Sequence, residues 1–171
     1  MATIFKNFGF LWDRELVNWG KGGKKGDLIG VSQKKQAEKV DFRKQIGVYA
    51  LYDKNEQIVY VGKAGNGNAD LFKRLKQHRK DYLWNRWKYF SWVGFYSVSD
   101  TTDLNGVYQL DECDADDFVS TGYRYSEALT EVEAVLIELI EPKLNKQGTF
   151  LSKKMEYRQY VSDDSDDDVE E

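Results

Sequence analysis

The stretch that decides the fold reads Gly47-Val-Tyr-Ala-Leu-Tyr-Asp-Lys-Asn-Glu-Gln-Ile-Val-Tyr-Val-Gly62. Two runs rich in strand-forming residues flank a short polar turn, Asp53-Lys-Asn-Glu56, and this pattern predicts a β-hairpin. With the turn centred between its second and third residues, we expect Tyr49 to lie opposite Tyr60. The two terminal glycines of the stretch are then also opposite each other.

Alternation along the two strands predicts two different faces. We expect one face to pack on the core, because it carries four aliphatic side chains, Val48, Ala50, Val59 and Val61. Tyr49 and Tyr60 share the other face with the two glycines. Two phenols beside bare backbone predict a shallow site on that face.

Two helices and a further strand follow the hairpin. Residues 71–80 have helical spacing, with Arg74 and His78 as an i, i+4 pair at the edge of the apolar stripe. Residues 90–98 are rich in strand formers and predict a third strand. A second helix is predicted from Ser126 to Leu139, ended by Pro142.

Glu133 is an unusual carboxylate in the second helix. At about 100° per residue, the other glutamates of this helix share one face, and Glu133 lies among leucine and isoleucine positions. A carboxylate with apolar neighbours must be paired, bound to a metal or neutral, unless it reaches solvent at the helix edge. The pattern leaves these alternatives open.

Composition bounds the class of protein. The chain has 171 residues, close to one domain of about 150 residues, and 15% aromatic residues argue against wholesale disorder. The single cysteine, Cys113, excludes an internal disulfide and favours a reducing compartment, so we expect a cytoplasmic protein. No apolar run approaches the roughly 18 residues of a membrane span.

Charge is distributed unevenly along the chain. Residues 1–98 carry 19 basic and 9 acidic residues, whereas residues 99–171 carry 6 and 20, for a net charge of −4. We therefore expect three parts: an N-terminal extension without an assigned role at 1–43, a folded domain at 44–150 with an irregular insertion at 99–124, and a disordered acidic tail at 151–171. The basic half is a candidate surface for a polyanion, or an ordinary solvated surface.

The ordered set of these residues resembles the GIY-YIG nuclease family. Seven elements occur in the family's order: Gly47-Val48-Tyr49, Tyr60-Val61-Gly62, Lys63, Arg74, His78, Glu133 and Asn145. Valine stands for the middle isoleucine in both motifs. The resemblance covers about residues 46–147 and implies a small α/β domain of the α+β type, with a three-stranded antiparallel sheet flanked by helices.

The resemblance also implies an activity, the divalent-metal-dependent hydrolysis of phosphodiester bonds, with DNA as the expected substrate. Glu133 would be the protein ligand of a single Mg²⁺ or Mn²⁺, whose remaining ligands would be water and phosphate oxygens. Arg74 would hold the phosphate with its planar fork of donors. DNA repair, restriction and defence are the processes in which such a nuclease would act.

The remaining residues of the set take supporting roles in this interpretation. Tyr49 is the first choice for the base or proton relay and Tyr60 the second, and the phenol pKa near 10 would have to be lowered by the metal, Lys63 or Arg74. His78 would orient the water, relay a proton or contact the phosphate. Asn145 would brace the site by hydrogen bonds.

Two other classes of function stay open at this point. A catalytically idle nucleic-acid-binding or regulatory module would keep the same fold, and a protein-interaction module would act through the acidic tail. Each site residue also has a structural role on offer. The two tyrosines would form a cross-strand pair, His78 would be a core residue and Asn145 a helix cap.

Overall fold

The computed structural model describes residues 5–32, 38–65, 69–111 and 125–145. The acidic tail at 151–171 and residues 112–124 of the expected insertion lie outside the described residues. The described strands are β1 (Asn7–Asp13), β2 (Ile29–Val31), β3 (Lys39–Asp41), β4 (Gly47–Tyr52), β5 (Ile58–Ala64), β6 (Tyr89–Gly94), β7 (Ser97–Thr102) and β8 (Tyr108–Asp111). The helices are α1 (Leu71–His78) and α2 (Tyr125–Ile140), with a short 3₁₀ turn at Arg14–Leu16.

The expected three-stranded sheet flanked by helices is wrong. The structure is mixed α/β and mostly sheet, with two four-stranded sheets and two α-helices among the described residues, ordered β1-β6-β4-β5 and β2-β3-β8-β7. The strand of the first sheet that the sequence does not predict is β1, which pairs antiparallel with β6. Its alternation is broken by an irregularity between Gly9 and Trp12, where Leu11 has a φ of 47°, so the period-2 pattern that marks a strand is interrupted.

The sequence does not predict the second sheet, because three of its four strands are short. β2 and β3 have three residues each, and their pairing is antiparallel. β7 and β8 pair within the described part of the segment that was expected to be an irregular insertion. Runs of three or four residues, as in β2, β3 and β8, are too short for an alternation pattern to be distinguished from a loop. The six residues of β7 are polar except for Val98.

The hairpin is present with a different register from the one expected. Tyr49 pairs with Gly62, and Tyr60 pairs with Leu51. The register is therefore displaced by two residues from the Tyr49–Tyr60 pairing. Because side chains alternate with a period of two, this displacement leaves both tyrosines on the same face, and their ring centroids are 6.2 Å apart.

A bulge in β5 moves Val59 to the opposite face from the one expected. Leu51 pairs with Tyr60 but Tyr52 pairs with Ile58, so Val59 is the extra residue in the ladder. Val59 packs in the same buried cluster as Tyr49. Val48 and Val61 are buried in a second cluster, on the α2 side of the sheet, together with Phe95 and Leu129.

Helix α1 is held against the start of β4. Its N-terminal amide groups donate to the preceding connection, from Leu71 to the Gln45 carbonyl at 2.8 Å and from Phe72 to the Arg43 carbonyl at 3.3 Å. The Asp70 carboxylate caps the helix by accepting from the Lys73 amide at 2.8 Å. These contacts fix the direction in which α1 presents its side chains to the hairpin.

Helix α2 covers the other side of β4 and β5. Leu129 and Ala134 of this helix are buried, whereas its Val135, Leu139 and Ile140 remain exposed. Of the described helices, neither combines the length and the apolar character needed to cross a membrane.

Gly62 is the position at which the fold meets the site, and Gly62→Ala tests it. A Cβ at residue 62 would lie 2.6 Å from the Tyr49 hydroxyl and 2.7 Å from a Tyr60 ring carbon. We expect a loss of about 2–3 kcal/mol in the free energy of unfolding, the upper part of the range for overpacked core positions, because the atoms that the Cβ would meet are in packed rings. Denaturant unfolding followed by circular dichroism measures it.

Gly106→Ala is the matched control. Gly106 has a φ of 74° but nothing within 4 Å of its added Cβ, so this variant reports backbone strain alone, about 1 kcal/mol. A Gly62→Ala protein that is as stable as the control would contradict the packing of Tyr49 across Gly62.

Candidate functional site

Tyr49 lies at the centre of the site. The β4–β5 pairing places its ring across Gly62, and the whole residue is 1% exposed. Tyr60, on the neighbouring strand, is half-buried beside it. The sequence places a phenol here because no side chain at position 62 competes for the space above the sheet.

A buried chain of hydrogen bonds leads away from Tyr49. Its hydroxyl lies 2.7 Å from Nε2 of His78, and Nδ1 of the same imidazole lies 2.8 Å from the Asp81 carboxylate. Because a carboxylate is an acceptor, Nδ1 of His78 carries a proton. In the neutral imidazole Nε2 is then an acceptor, and Tyr49 donates to it.

The surroundings keep both phenols protonated. Burial raises the pKa of Tyr49 well above its ordinary value of 10.0, with the neighbouring Tyr60 adding to the rise and Arg74 opposing it. Burial also raises the pKa of Tyr60. The lowered phenol pKa that a free tyrosinate base needs is therefore absent here, and any proton transfer from these phenols must be concerted with a second acceptor.

His78 provides that acceptor. Burial lowers its pKa from the ordinary value of 6.5, although hydrogen bonding to Asp81 acts in the opposite direction. The imidazole is therefore neutral near pH 7 with a free lone pair toward Tyr49. If it took a proton from Tyr49, the resulting imidazolium would face the Asp81 carboxylate, as in other relays in which a carboxylate orients a histidine.

Arg74 brings a half-buried cation to the same place. It lies on α1, one turn before His78, and its Nη1 donates to Gln77 at 3.1 Å. Its Nε is buried and has no hydrogen-bond partner among the described residues. A side-chain hydrogen bond and the charge of Arg74 both act to lower the pKa of Tyr49, against the larger effect of burial, so the guanidinium lies beside that phenol. A buried guanidinium donor without a partner is costly unless an anion completes it.

Lys63 and Glu133 form an ion pair on the α2 side of β5. Nζ of Lys63 lies 3.1 Å from Oε2 of Glu133 and donates to the Thr130 hydroxyl at 2.9 Å. Both charged side chains retain about a fifth of their exposure, 18% and 20%. Of the alternatives that the sequence left open for Glu133, the structure shows pairing with a cation.

Asn145 ties the end of the chain after α2 to β5. Its side-chain oxygen accepts from the Val61 amide at 2.9 Å, and its side-chain nitrogen donates to the Val61 carbonyl at 2.8 Å. These two hydrogen bonds to one backbone residue fix the edge strand next to Tyr60. Bracing of the strand is the role in which the structure places Asn145.

The predicted residues thus form two neighbouring groups. Tyr49, Tyr60, Arg74 and His78 are in contact or near contact on the α1 side of the sheet. No hydrogen bond among the described residues joins Glu133 to them, yet its charge raises the pKa of both phenols. The Lys63–Glu133 pair lies on the α2 side of the edge strand β5, across the sheet from the phenols.

Sequence reasoning missed two members of this arrangement. Asp81 follows His78 by three residues, a spacing that brings the two side chains together at a helix end. Thr130 lies three residues before Glu133 and accepts from Lys63. An aspartate three residues after the chain's single histidine was the available signal for Asp81.

Among the predicted site residues, Glu133 is the one carboxylate, and it is paired with Lys63. In the described part of the chain, no group of three or more His, Cys, Asp or Glu side chains could hold a metal ion. Mg²⁺ often takes one or two protein carboxylates and keeps several waters and phosphate oxygens. Glu133 would be that carboxylate, with the unpaired Nε of Arg74 available to the phosphate.

Comparison with known proteins gives no further information. No protein-family model, no curated protein and no solved structure matches this chain significantly.

The state of His78 can be measured directly, because the chain contains one histidine. We expect the imidazole protons to titrate in NMR spectra with a midpoint below 6.5, since burial opposes the charged form. Asp81→Asn removes the group that favours the charged form, so it lowers the midpoint further. Asp100→Asn, an exposed position on β7, is the control and leaves the midpoint unchanged.

The same shift makes stability depend on pH. The unfolded chain takes up a proton at about pH 6.5, above the folded pKa, so the free energy of unfolding falls as the pH drops through 6.5 toward that lower value. His78→Gln removes this part of the dependence. A titration midpoint at or above 6.5, unmoved by Asp81→Asn, would contradict the buried neutral imidazole.

Proposed function

We propose that the chain is a divalent-metal-dependent endonuclease that hydrolyses phosphodiester bonds in DNA, of the GIY-YIG type. The observation that carries the proposal is a hydrogen-bonded Tyr49–His78–Asp81 chain, buried at Tyr49 and His78, next to the unpartnered Nε of Arg74. Phosphodiester hydrolysis requires a cation that binds the phosphate and a proton acceptor at the same place. The order of these residues along the chain adds support through the family resemblance.

Arg74 is the group that receives the scissile phosphate. Its buried Nε lacks an acceptor, and the charge that develops on phosphate oxygens in the transition state supplies one. Glu133 would hold the metal, which when bound would supply Lewis-acid stabilisation of that charge. Lys63, paired with Glu133 in the free chain, would remain close to that carboxylate as a second cation.

The two phenols and His78 carry the proton away from the attacking water. Tyr60 is half-buried and reaches solvent, whereas Tyr49 is 1% exposed, so the water meets Tyr60 first. Tyr60 takes the proton as its own passes to Tyr49, and the Tyr49 proton passes to Nε2 of His78. The water oxygen bonds to phosphorus, the bond to one ester oxygen breaks, and that oxygen takes a proton from solvent.

Glu133→Gln tests the proposal. With Mg²⁺ or Mn²⁺, we expect the wild-type chain to nick supercoiled plasmid. We expect the variant to nick at least about 100-fold more slowly, because it lacks the carboxylate that would hold the metal. EDTA abolishes nicking by the wild type. Duplex binding in EDTA, measured by fluorescence anisotropy, is retained by the variant.

Glu131→Gln is the matched control, because Glu131 is exposed two residues earlier on the same helix. It keeps the wild-type nicking rate. Nicking that persists in Glu133→Gln, or wild-type protein that cuts neither plasmid nor branched oligonucleotides, would contradict the proposal.

A catalytically idle nucleic-acid-binding module is the second candidate. The burial of Tyr49 favours it, since a phenol that solvent does not reach cannot take a proton from water by itself. Tyr60→Phe and Tyr49→Phe separate the two candidates. In the nuclease both changes interrupt the proton path and lower the nicking rate by about 10²–10⁴-fold while DNA binding stays, a range typical of general acid–base groups.

Tyr52→Phe serves as the control for the loss of a phenol, because Tyr52 is at the far end of β4 from Gly47. Binding of duplex by a wild-type chain that shows no metal-dependent cutting would support the idle module instead.

A further inference from the structure

A basic groove lies beside α1, away from the phenols. We use the name for two adjoining cavities of about 590 and 550 Å³, which share Lys25, Gly26, Asp41 and Arg43 in their walls. The connection before β2, the second sheet and α1 build it together. Six basic side chains line it: Lys25, Lys39, Arg43, Lys44, Lys73 and Lys76.

Four acidic residues also line its walls, and each has a partner within the chain. Asp41 is 6% exposed and accepts from the Arg43 amide at 3.0 Å and from the Arg43 guanidinium at 2.6 Å. Asp70 caps α1. Asp103 accepts two turn amides, which lower the pKa of its carboxyl. Asp70 also pairs with Lys73 at 3.0 Å, and Asp27 accepts from the Asn18 side chain at 2.7 Å. Two of the six basic side chains, Arg43 and Lys73, are therefore paired within the groove.

Two of the lysines have no such partner. Lys25 and Lys44 are exposed and form no hydrogen bond or ion pair with the described residues. Both line the larger cavity. Their charge is therefore available to an external anion.

The glycine-rich connection places Lys25 against α1. Gly26 sits so close to the Phe72 ring that an added Cβ would lie 2.7 Å from it, and Lys76 donates to the Trp19 carbonyl at 2.7 Å. Gly20, with a φ of 76°, turns the chain tightly at the start of the segment. The lysines of residues 20–26 are thus anchored to the helix that carries Arg74.

Arg74 and the groove lie on opposite flanks of α1. At about 100° per residue, Lys76 is about 160° around the helix from Arg74, and Lys73 and Gln77 form the exposed ridge between them. A helix with its side chains is about 10–12 Å across, and the major groove of B-form DNA is about 12 Å wide. One duplex can therefore contact both flanks with its two strands.

From this geometry we propose that the basic groove binds the phosphate backbone of duplex DNA, the strand opposite the one that Arg74 receives. The proposal rests on the proposed function, because it takes the phosphate at Arg74 as given. It makes the duplex, and not a single strand, the substrate class. The phosphates it contacts are positioned by charge and carry no base specificity.

The test is the salt dependence of duplex binding by a Lys25→Gln/Lys44→Gln double variant. Each phosphate contact contributes about 0.9 to the slope of log K against log salt concentration, so we expect the slope to fall by about 1.8. At about 0.1 M salt this corresponds to about 60-fold weaker binding. A labelled duplex in EDTA, read by fluorescence anisotropy, gives both values for the full chain.

A Lys54→Gln/Lys88→Gln double variant is the matched control. Lys54 lies in the β4–β5 turn, and the Lys88 amide bonds to the Tyr52 carbonyl, so both are at the end of β4 remote from Gly47, roughly 20 Å along the strand. We expect this variant to keep the wild-type slope. Equal slopes for the two double variants would overturn the proposal. A Lys25→Gln/Lys44→Gln variant that binds an acidic peptide of residues 162–171 more weakly than the wild type, but binds the duplex equally well, would also overturn it.

The binding experiment tests the groove independently of the proposed function, because it does not require cleavage. Groove-dependent duplex binding by a chain that never cuts DNA refutes the nuclease and leaves the groove assignment standing. Metal-dependent cutting of duplex with a slope that the groove variant does not change refutes the groove assignment alone.

Discussion

The structure depends on one close approach, that of the Tyr49 ring to the bare backbone of Gly62. The added Cβ of any other residue at position 62 would meet the Tyr49 hydroxyl at 2.6 Å. With that space free, the phenol is buried and directed at Nε2 of His78, and the imidazole is directed at Asp81. A tight β4–β5 pair, a buried proton acceptor on α1 and the position of Arg74 all follow from it.

Burial and charge act against each other at this point, and burial dominates. The Arg74 charge lowers the pKa of Tyr49, but desolvation raises it by more, so the phenol stays protonated in the free chain. A relay through a neutral His78 removes the need for a free tyrosinate. The unpaired Nε of Arg74 is a cost of folding that an incoming phosphate would offset.

The sequence predicted the hairpin, both helices and the common face of Tyr49 and Tyr60, because long periodic segments and a polar turn specify them. It did not predict the register, because the turn after Tyr52 displaces the pairing by one residue and the bulge at Val59 displaces it by one more. It also missed β1 and the second sheet. Leu11 breaks the alternation of β1, and the short strands of the second sheet acquire their pairing from tertiary contacts.

The central claim is that a phosphate completes the site at Arg74. The most direct measurement is a crystal structure of the Glu133→Gln chain with duplex DNA, which gives the distance from Arg74 Nε to the nearest phosphate oxygen. The account predicts a charge-assisted hydrogen bond of about 2.7–2.9 Å. A duplex bound elsewhere, with Nε still buried and without an acceptor, would contradict it.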